Sequence, residues 1–206
     1  MAIELKPDFT QAYIGRAKDC GDMRNWQCSL DDYETIKKMY PDDPNSYWAT
    51  SLYKTNTKDM DGAMADIDKA IELSKKPNAT YYSQKAWIYL EKKDYPNAKE
   101  YLKKALQINP NDGYALGLLV CMASENEAYD TVIKYSRRLF KYDPSSRYNH
   151  ALYAMYARAL YKKGKKKEAL KQIEKAIEIE PSDKDHQQLK EEILNSIING
   201  TGINKE

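Results

Sequence analysis

The chain has 206 residues and a formal net charge of +2, with 42% hydrophobic and 31% charged residues. This composition is typical of a folded protein and excludes a disordered chain, and the near-neutral charge makes nucleic acid an unlikely partner by sequence criteria. No stretch approaches the roughly 18 apolar residues of a membrane span, and the first residues lack the basic and apolar regions of a signal peptide, so we expect neither.

Three cysteines, Cys20, Cys28 and Cys121, cannot all pair within one chain. We expect free thiols that act as small buried hydrophobes in a reducing compartment. The expected location is therefore cytoplasmic, although the same pattern fits a domain of an exported protein.

Prolines recur along the chain at a fixed interval. Pro7 and Pro41 are 34 residues apart, and so are Pro110 and Pro144. Each follows the last turn of an amphipathic helix, which ends there because proline cannot continue it. The spacing predicts an array of repeats rather than one irregular domain.

Each period contains two helical patterns separated by a short turn. In the third period, Tyr82, Ala86 and Tyr89 recur at helical spacing before the turn, and Ala98 and Leu102 do so after it. Such spacing gives each helix one buried face. No segment has the period of a strand, so we predict an all-α fold.

Small residues recur where the two helices of each period would touch. They are Ala17, Ser29, Ser51, Ala63, Ala70, Ala86, Ala98, Ala105, Ala157, Ala169 and Ala176. A helix-turn-helix of 34 residues with this pattern resembles the tetratricopeptide repeat (TPR). The resemblance covers about residues 1–181 and implies a right-handed superhelical solenoid of about five repeats. The fourth period departs from it, because the larger Val120, Val132 and Leu139 predict wider packing, and the first turn, 20–25, looks irregular.

The repeat boundaries give a domain plan. We predict a TPR array over residues 1–181, a capping helix over 182–199 with a polar outer face, and a frayed tail over 200–206. Within the array, a partial repeat over 1–8 precedes repeats over about 9–43, 44–77, 78–111, 112–145 and 146–181.

In the TPR family, the first helix of each repeat lines a concave face that holds a partner. The family's ligand-facing positions map onto Trp48, Leu52, Trp87, Tyr114, Cys121, Arg158 and Tyr161, with Gln84 beside them. We expect these residues to form one continuous groove, although Trp48 and Trp87 also fit ordinary packing between repeats. The basic and amide residues of the family's carboxylate clamp are absent, so an adaptor for chaperone tails is disfavoured.

The sequence predicts no enzyme, no cofactor and no metal site. His150 and His186 lie in different repeats, and no cluster of ligands has metal-binding spacing. The resemblance therefore implies a scaffold that binds a protein or peptide. The alternative is a module that self-associates or docks a neighbouring domain of a longer chain, since the array begins with half a repeat.

Overall fold

Eleven α-helices and no strand make up the part of the chain that we describe, residues 10–142 and 149–200 of a computed structural model. The all-α prediction is confirmed. The predicted half-repeat over 1–8 lies outside these ranges, and so do residues 201–206 of the predicted tail. None of the described helices has the length and apolar character needed to cross a membrane.

The chain divides into two compact units, one ending at Pro110 and the other beginning at Asn111. In the first unit the helices are α1 (Thr10–Asp22), α2 (Trp26–Met39), α3 (Pro44–Asn56), α4 (Met60–Leu73), α5 (Ala79–Glu91) and α6 (Tyr95–Ile108). In the second unit they are α7 (Gly113–Glu125), α8 (Tyr129–Tyr142), α9 (Asn149–Lys162), α10 (Lys166–Ile179) and α11 (Lys184–Gly200). Within each unit, every helix packs mainly against its neighbours along the chain.

Short acidic and amide residues start most of the helices. Their side chains accept a hydrogen bond from a backbone N–H two or three residues further on, as in Asp43, Asp59, Asp94 and Asp112. These bonds satisfy N–H groups that have no partner inside the helix. The side chain of Lys165, before α10, makes no such bond.

Each turn within a helix pair contains one residue with left-handed backbone. These residues are Arg24, Lys58, Lys93, Glu127 and Gly164, with φ of 57°, 68°, 59°, 52° and 74°. Only glycine adopts this conformation without steric cost, so the first four turns are locally strained. The first turn, which we expected to be irregular, contains one residue with left-handed backbone, as the other turns do.

The small residues predicted at helix contacts are buried. Every one of the eleven, from Ala17 to Ala176, has 0% exposure. The larger Val120, Val132 and Leu139 of the fourth period are also buried, with at most 1% exposure. The spacing in the sequence therefore identified the inward face of these helices, including those of the fourth period.

The prediction of three free thiols is wrong. Cys20, in the last turns of α1, forms a disulfide with Cys28 in α2, with Cα atoms 5.9 Å apart. The turn between them folds back, and Asn25 donates a backbone hydrogen bond to the Cys20 carbonyl at 2.8 Å. Cys121 is the remaining thiol. Because two of the cysteines are oxidised, the cysteine pattern no longer supports a reducing compartment.

Candidate partner-binding surface

Polar side chains join the first helices of two successive pairs, α3 and α5. The Tyr81 hydroxyl donates to the Asn45 side-chain oxygen at 2.8 Å. The Gln84 Nε2 donates to the Thr55 hydroxyl at 3.1 Å and lies 3.4 Å from that of Ser51. These bonds fix the distance between the two helices and the rotation of each about its axis.

Contrary to our prediction from the sequence, the side chain of Gln84 does not lie in an open groove. Its side chain has 0% exposure, as do those of Ser51 and Thr55. Gln84 therefore bonds to α3 inside the protein, and it does not present a free amide to a ligand.

Three of the predicted binding residues flank this buried polar contact. Trp48 and Leu52 of α3 each precede a buried polar residue by three positions, and Trp87 follows Gln84 by three. Residues three apart are neighbours on a helix surface. Because all three apolar side chains are only partly buried, we name them together the α3–α5 seam.

Trp48 is held by packing, and its polar edge finds no acceptor. Its ring packs against a core cluster that includes Ile67, Tyr81 and Ile88. The Nε1 atom is buried and has no hydrogen-bond partner among the described residues. A buried indole N–H normally has a partner, so this atom raises the free energy of the protein as it stands.

Trp87 lies at the end of a chain of polar contacts. Its Nε1 donates to one carboxylate oxygen of Glu91 at 3.2 Å. The other oxygen accepts from the Lys58 ammonium at 2.6 Å, from the turn after α3. The ring of Trp87 is therefore oriented by these contacts, and its side chain remains partly exposed.

A network of ion pairs also joins α3 to the neighbouring helices α2 and α4. The Lys54 ammonium lies 2.6 Å from Asp66 and 3.1 Å from Glu34, and Lys37 contacts both carboxylates. Burial alone would lower the pKa of Lys54, but the hydrogen bonds to Asp66 and Glu34 outweigh it and raise the pKa. Lys54 is thus charged at neutral pH, and it links α3 to α2 and α4.

The second unit contains the other four predicted residues. Tyr114 and Cys121 of α7 and Tyr161 of α9 are half-buried, and Arg158 of α9 is exposed. Burial and the nearby Glu125 raise the pKa of the Cys121 thiol. The thiol is therefore protonated at neutral pH, which makes it an apolar contact and a poor nucleophile.

The second unit also brings together residues that the sequence analysis kept apart. One ring nitrogen each from His150 and His186 and one carboxylate oxygen of Asp183 lie within 4.8 Å of one another. This differs from the expectation that no ligand cluster forms. The two histidines are 36 residues apart, close to one repeat period, and that spacing was the signal available in the sequence.

Comparisons with known proteins agree with the repeat pattern, both in sequence and in fold. The tetratricopeptide repeat family matches at residues 79–112 and again at 123–193, which together make up about half of the chain. No curated protein matches the sequence significantly.

Among solved structures, one similar fold is YrrB, described as a TPR protein with an unusual peptide-binding site. It shares 18% identity over 92% of this chain and 96% of its own, with a TM-score of 0.53. A thermophilic TPR protein of Thermus thermophilus shares 16% identity over 90% of this chain and 98% of its own, with a TM-score of 0.72.

A third similar fold belongs to the APC/C hetero-tetramer Cut9–Hcn1, with 12% identity over 98% of this chain and a TM-score of 0.79. The match spans 38% of that chain. At these identities the structural similarity concerns the fold alone. The repeated helix pairs, the buried small residues and the two family matches show that the chain belongs to the tetratricopeptide repeat family.

Proposed function

We propose that this chain binds a peptide segment of another protein, and that the α3–α5 seam is its main contact surface. The TPR fold is a general scaffold for protein interactions, but the fold alone does not say where a partner lies. The observation that carries the proposal is the placement of side chains on α3 and α5. Ser51, Thr55 and Gln84 have 0% exposure, whereas Trp48 and Trp87 are partly exposed.

The full burial of three polar side chains beside partly exposed apolar ones is unusual. Polar side chains are mostly exposed in folded proteins, and large aromatic ones are mostly buried. Here the hydrogen bonds of Gln84 give the buried polar groups their partners. The neighbouring surface positions therefore need no polar side chain and can carry apolar ones. Tryptophan is also the residue type most enriched among those that dominate binding energy at interfaces.

The partner segment is expected to be apolar with at least one hydrogen-bond acceptor. Apolar side chains would cover the exposed parts of Leu52 and the two indole rings. A backbone carbonyl of the segment would be able to accept from Trp48 Nε1 after a small rotation of the ring, since this N–H has no partner among the described residues. A segment bound in this way would satisfy a polar group that the free protein leaves unpaired.

In the second unit, we propose that Tyr114, Cys121, Arg158 and Tyr161 give further contacts. Arg158 is exposed, and its guanidinium would pair with an acidic group of a partner. The three half-buried side chains would supply apolar area. This role is secondary to that of the seam, where the buried contact of Gln84 with Thr55 supports the proposal.

The test begins with a peptide library displayed on phage and selected against the full chain. Binding of a selected peptide is followed by NMR of the three indole N–H signals. Trp26 serves as the reference, because it is not part of the seam. Its ring, at the start of α2, has its centre 6.5 Å from that of Tyr53 in α3. We expect the signals of Trp48 and Trp87 to shift and that of Trp26 to stay.

A matched pair of variants then separates binding from folding. Trp87→Ala should weaken peptide binding roughly tenfold or more, since truncation of a dominant interface residue costs about 2 kcal/mol. Tyr95→Ala removes an aromatic ring with 40% exposure from α6 and should leave binding unchanged. Full binding by a folded Trp87→Ala variant, or a fall in its melting temperature without a binding defect, would contradict the proposal.

A further inference from the structure

We propose that His150, Asp183 and His186 form a site for a divalent transition-metal ion of the zinc type, which links the start of α9 to the start of α11. The inference is independent of the proposed peptide binding, because the three residues lie outside the α3–α5 seam. It rests on how the repeat brings them together and on which of their atoms lack partners.

Repetition explains why the two histidines meet. His150 is the second residue of α9, and His186 is the third residue of α11. Helix α9 is the first helix of its pair, and α11, the next helix but one along the chain, packs against it. Both histidines therefore lie in the first turn of neighbouring helices, and the two imidazole rings are 5.5 Å apart with an angle of 64° between them.

Each of the two imidazole rings has one nitrogen without a hydrogen-bond partner among the described residues. His186 has 5% exposure. The Nδ1 atoms of His150 and His186 are both buried, and neither has a hydrogen-bond partner among the described residues. A buried polar atom without a partner raises the free energy of the folded state. In metal sites the ring nitrogen that does not bind the ion normally donates to a carboxylate, a carbonyl or a water molecule.

Asp183 is already oriented for coordination. Its Oδ1 accepts backbone hydrogen bonds from Asp185 at 2.9 Å and from His186 at 3.1 Å, which fixes the carboxylate at the start of α11. The other oxygen, Oδ2, lies 3.4 Å from His186 Nε2. That distance is too long for a charge-assisted hydrogen bond of about 2.7–2.9 Å.

The same distance fits two ligands of one ion. Nitrogen and oxygen ligands lie about 2.0–2.2 Å from a tetrahedral Zn²⁺, which places them roughly 3.4 Å from each other. The third donor, from His150, is within 4.8 Å of both, so a modest ring rotation completes the set. Two imidazoles and one carboxylate suit Zn²⁺ and similar ions, whereas Mg²⁺ and Ca²⁺ prefer oxygen ligands only.

The experiment titrates the full chain with Zn²⁺ alone, using calorimetry and the melting temperature, and repeats the titration with Co²⁺ to record the visible spectrum. We expect one ion per chain, a higher melting temperature, and the absorption of a tetrahedral cobalt site without thiolate bands. His150→Gln and His186→Gln should each weaken Zn²⁺ binding at least tenfold.

Asp183→Asn separates coordination from helix capping. Asparagine keeps the oxygen that accepts from the backbone of Asp185 and His186, and it caps helices as well as aspartate does. This variant should therefore melt like the wild type without metal, yet bind Zn²⁺ at least tenfold more weakly. The matched control is Asp185→Asn, a change to an exposed carboxylate in the same turn, and it should bind within twofold of the wild type. Cys121→Ser should also bind normally.

The proposal is overturned if the wild-type chain binds no Zn²⁺ at micromolar concentration, or if binding survives both histidine substitutions. Should a histidine variant fail to fold, the wild type still decides the question. NMR of the imidazole nitrogens must then show one nitrogen of His150 and one of His186 shifting on addition of Zn²⁺. Unchanged imidazole signals would reject the site.

Discussion

The helices α3 and α7 begin comparable helix pairs in the two units, but they bury different kinds of side chain. The buried residues of α3 are Ser46, Ala49, Thr50, Ser51 and Thr55. Those of α7 are Ala115, Leu116, Leu118, Leu119, Val120 and Ala123. One helix buries mainly polar side chains, and the other buries only apolar ones.

In this repeat a few positions require small residues, whereas the remaining helix contacts are polar in one unit and apolar in the other. Hydrogen bonds depend on direction, so the contacts of α3 define a register between helices. Apolar contacts contribute more free energy per side chain but define direction less. The α3–α5 contact of the first unit therefore combines buried polar side chains with partly exposed apolar ones, whereas α7 of the second unit buries mainly apolar side chains.

The largest expected effect is in the apolar helix. Leu116→Ala removes a side chain with 0% exposure, and we expect a loss of about 2–5 kcal/mol in the free energy of unfolding, from lost burial and the cavity that remains. Urea unfolding measures it. Ile179→Ala, at a position with 46% exposure, is the control and should change stability by no more than about 0.5 kcal/mol. A loss below about 1 kcal/mol for Leu116→Ala would show that α7 is not held mainly by its apolar core.

Enlarging a small residue tests the feature that the two units share. Ala98→Leu and Ala169→Leu each add three carbons at a contact with 0% exposure. Overpacking typically costs about 1–3 kcal/mol, and we expect similar losses in both units. Thermal melting provides the measurement. Wild-type melting of both variants would mean that these positions are not close helix contacts.

Replacing Gln84 tests the polar contact of the first unit. Gln84→Met keeps the volume and removes the donor. The Ser51 and Thr55 hydroxyls would still donate to backbone carbonyls at 2.8 Å. We therefore expect a loss of only about 0.5–1.5 kcal/mol. Gln84→Ala adds a cavity and should cost more in the same urea experiment. If the two variants are equally stable, the hydrogen bonds rather than the volume decide the cost.

The smallest expected effect is a change in how stability depends on pH, through the carboxylate of Glu34. Burial would raise the pKa of Glu34, but hydrogen bonds from Lys37 and Lys54 outweigh it, and the pKa is lowered from its ordinary value of 4.5. The stabilisation is therefore present above pH 4.5 and is lost as the pH falls through the lower folded value.

Glu34→Gln should reduce stability at pH 7 by about 0.2–1 kcal/mol, because the half-exposed pairs are screened. The difference from the wild type should shrink in acid, as measured by melting temperature across the pH range. Glu72→Gln, at an exposed carboxylate on α4, is the control. A constant difference from pH 7 down to about pH 3 would show that the ion pairs of Glu34 do not stabilise the fold.

The helices were predictable because alanine and proline recur at one interval, and this periodicity reports burial directly. Gln84 was misplaced because its position beside the predicted groove says nothing about the partner it finds on α3. The disulfide was missed for a different reason. A separation of eight residues between Cys20 and Cys28 suggests no contact until the turn is known to bring α1 and α2 together. His150 and His186 were missed because each was considered within its own repeat.

The disulfide encloses the turn that contains Arg24, an exposed residue with left-handed backbone. Exposed turns are preferred sites of proteolysis, and trypsin cuts after arginine. A cut at Arg24 would leave the two pieces joined through Cys20 and Cys28, so that α1 would stay attached to the rest of the chain. The cleaved protein would migrate as one band without reductant and as two bands with it, and the array would keep α1 after the backbone is broken.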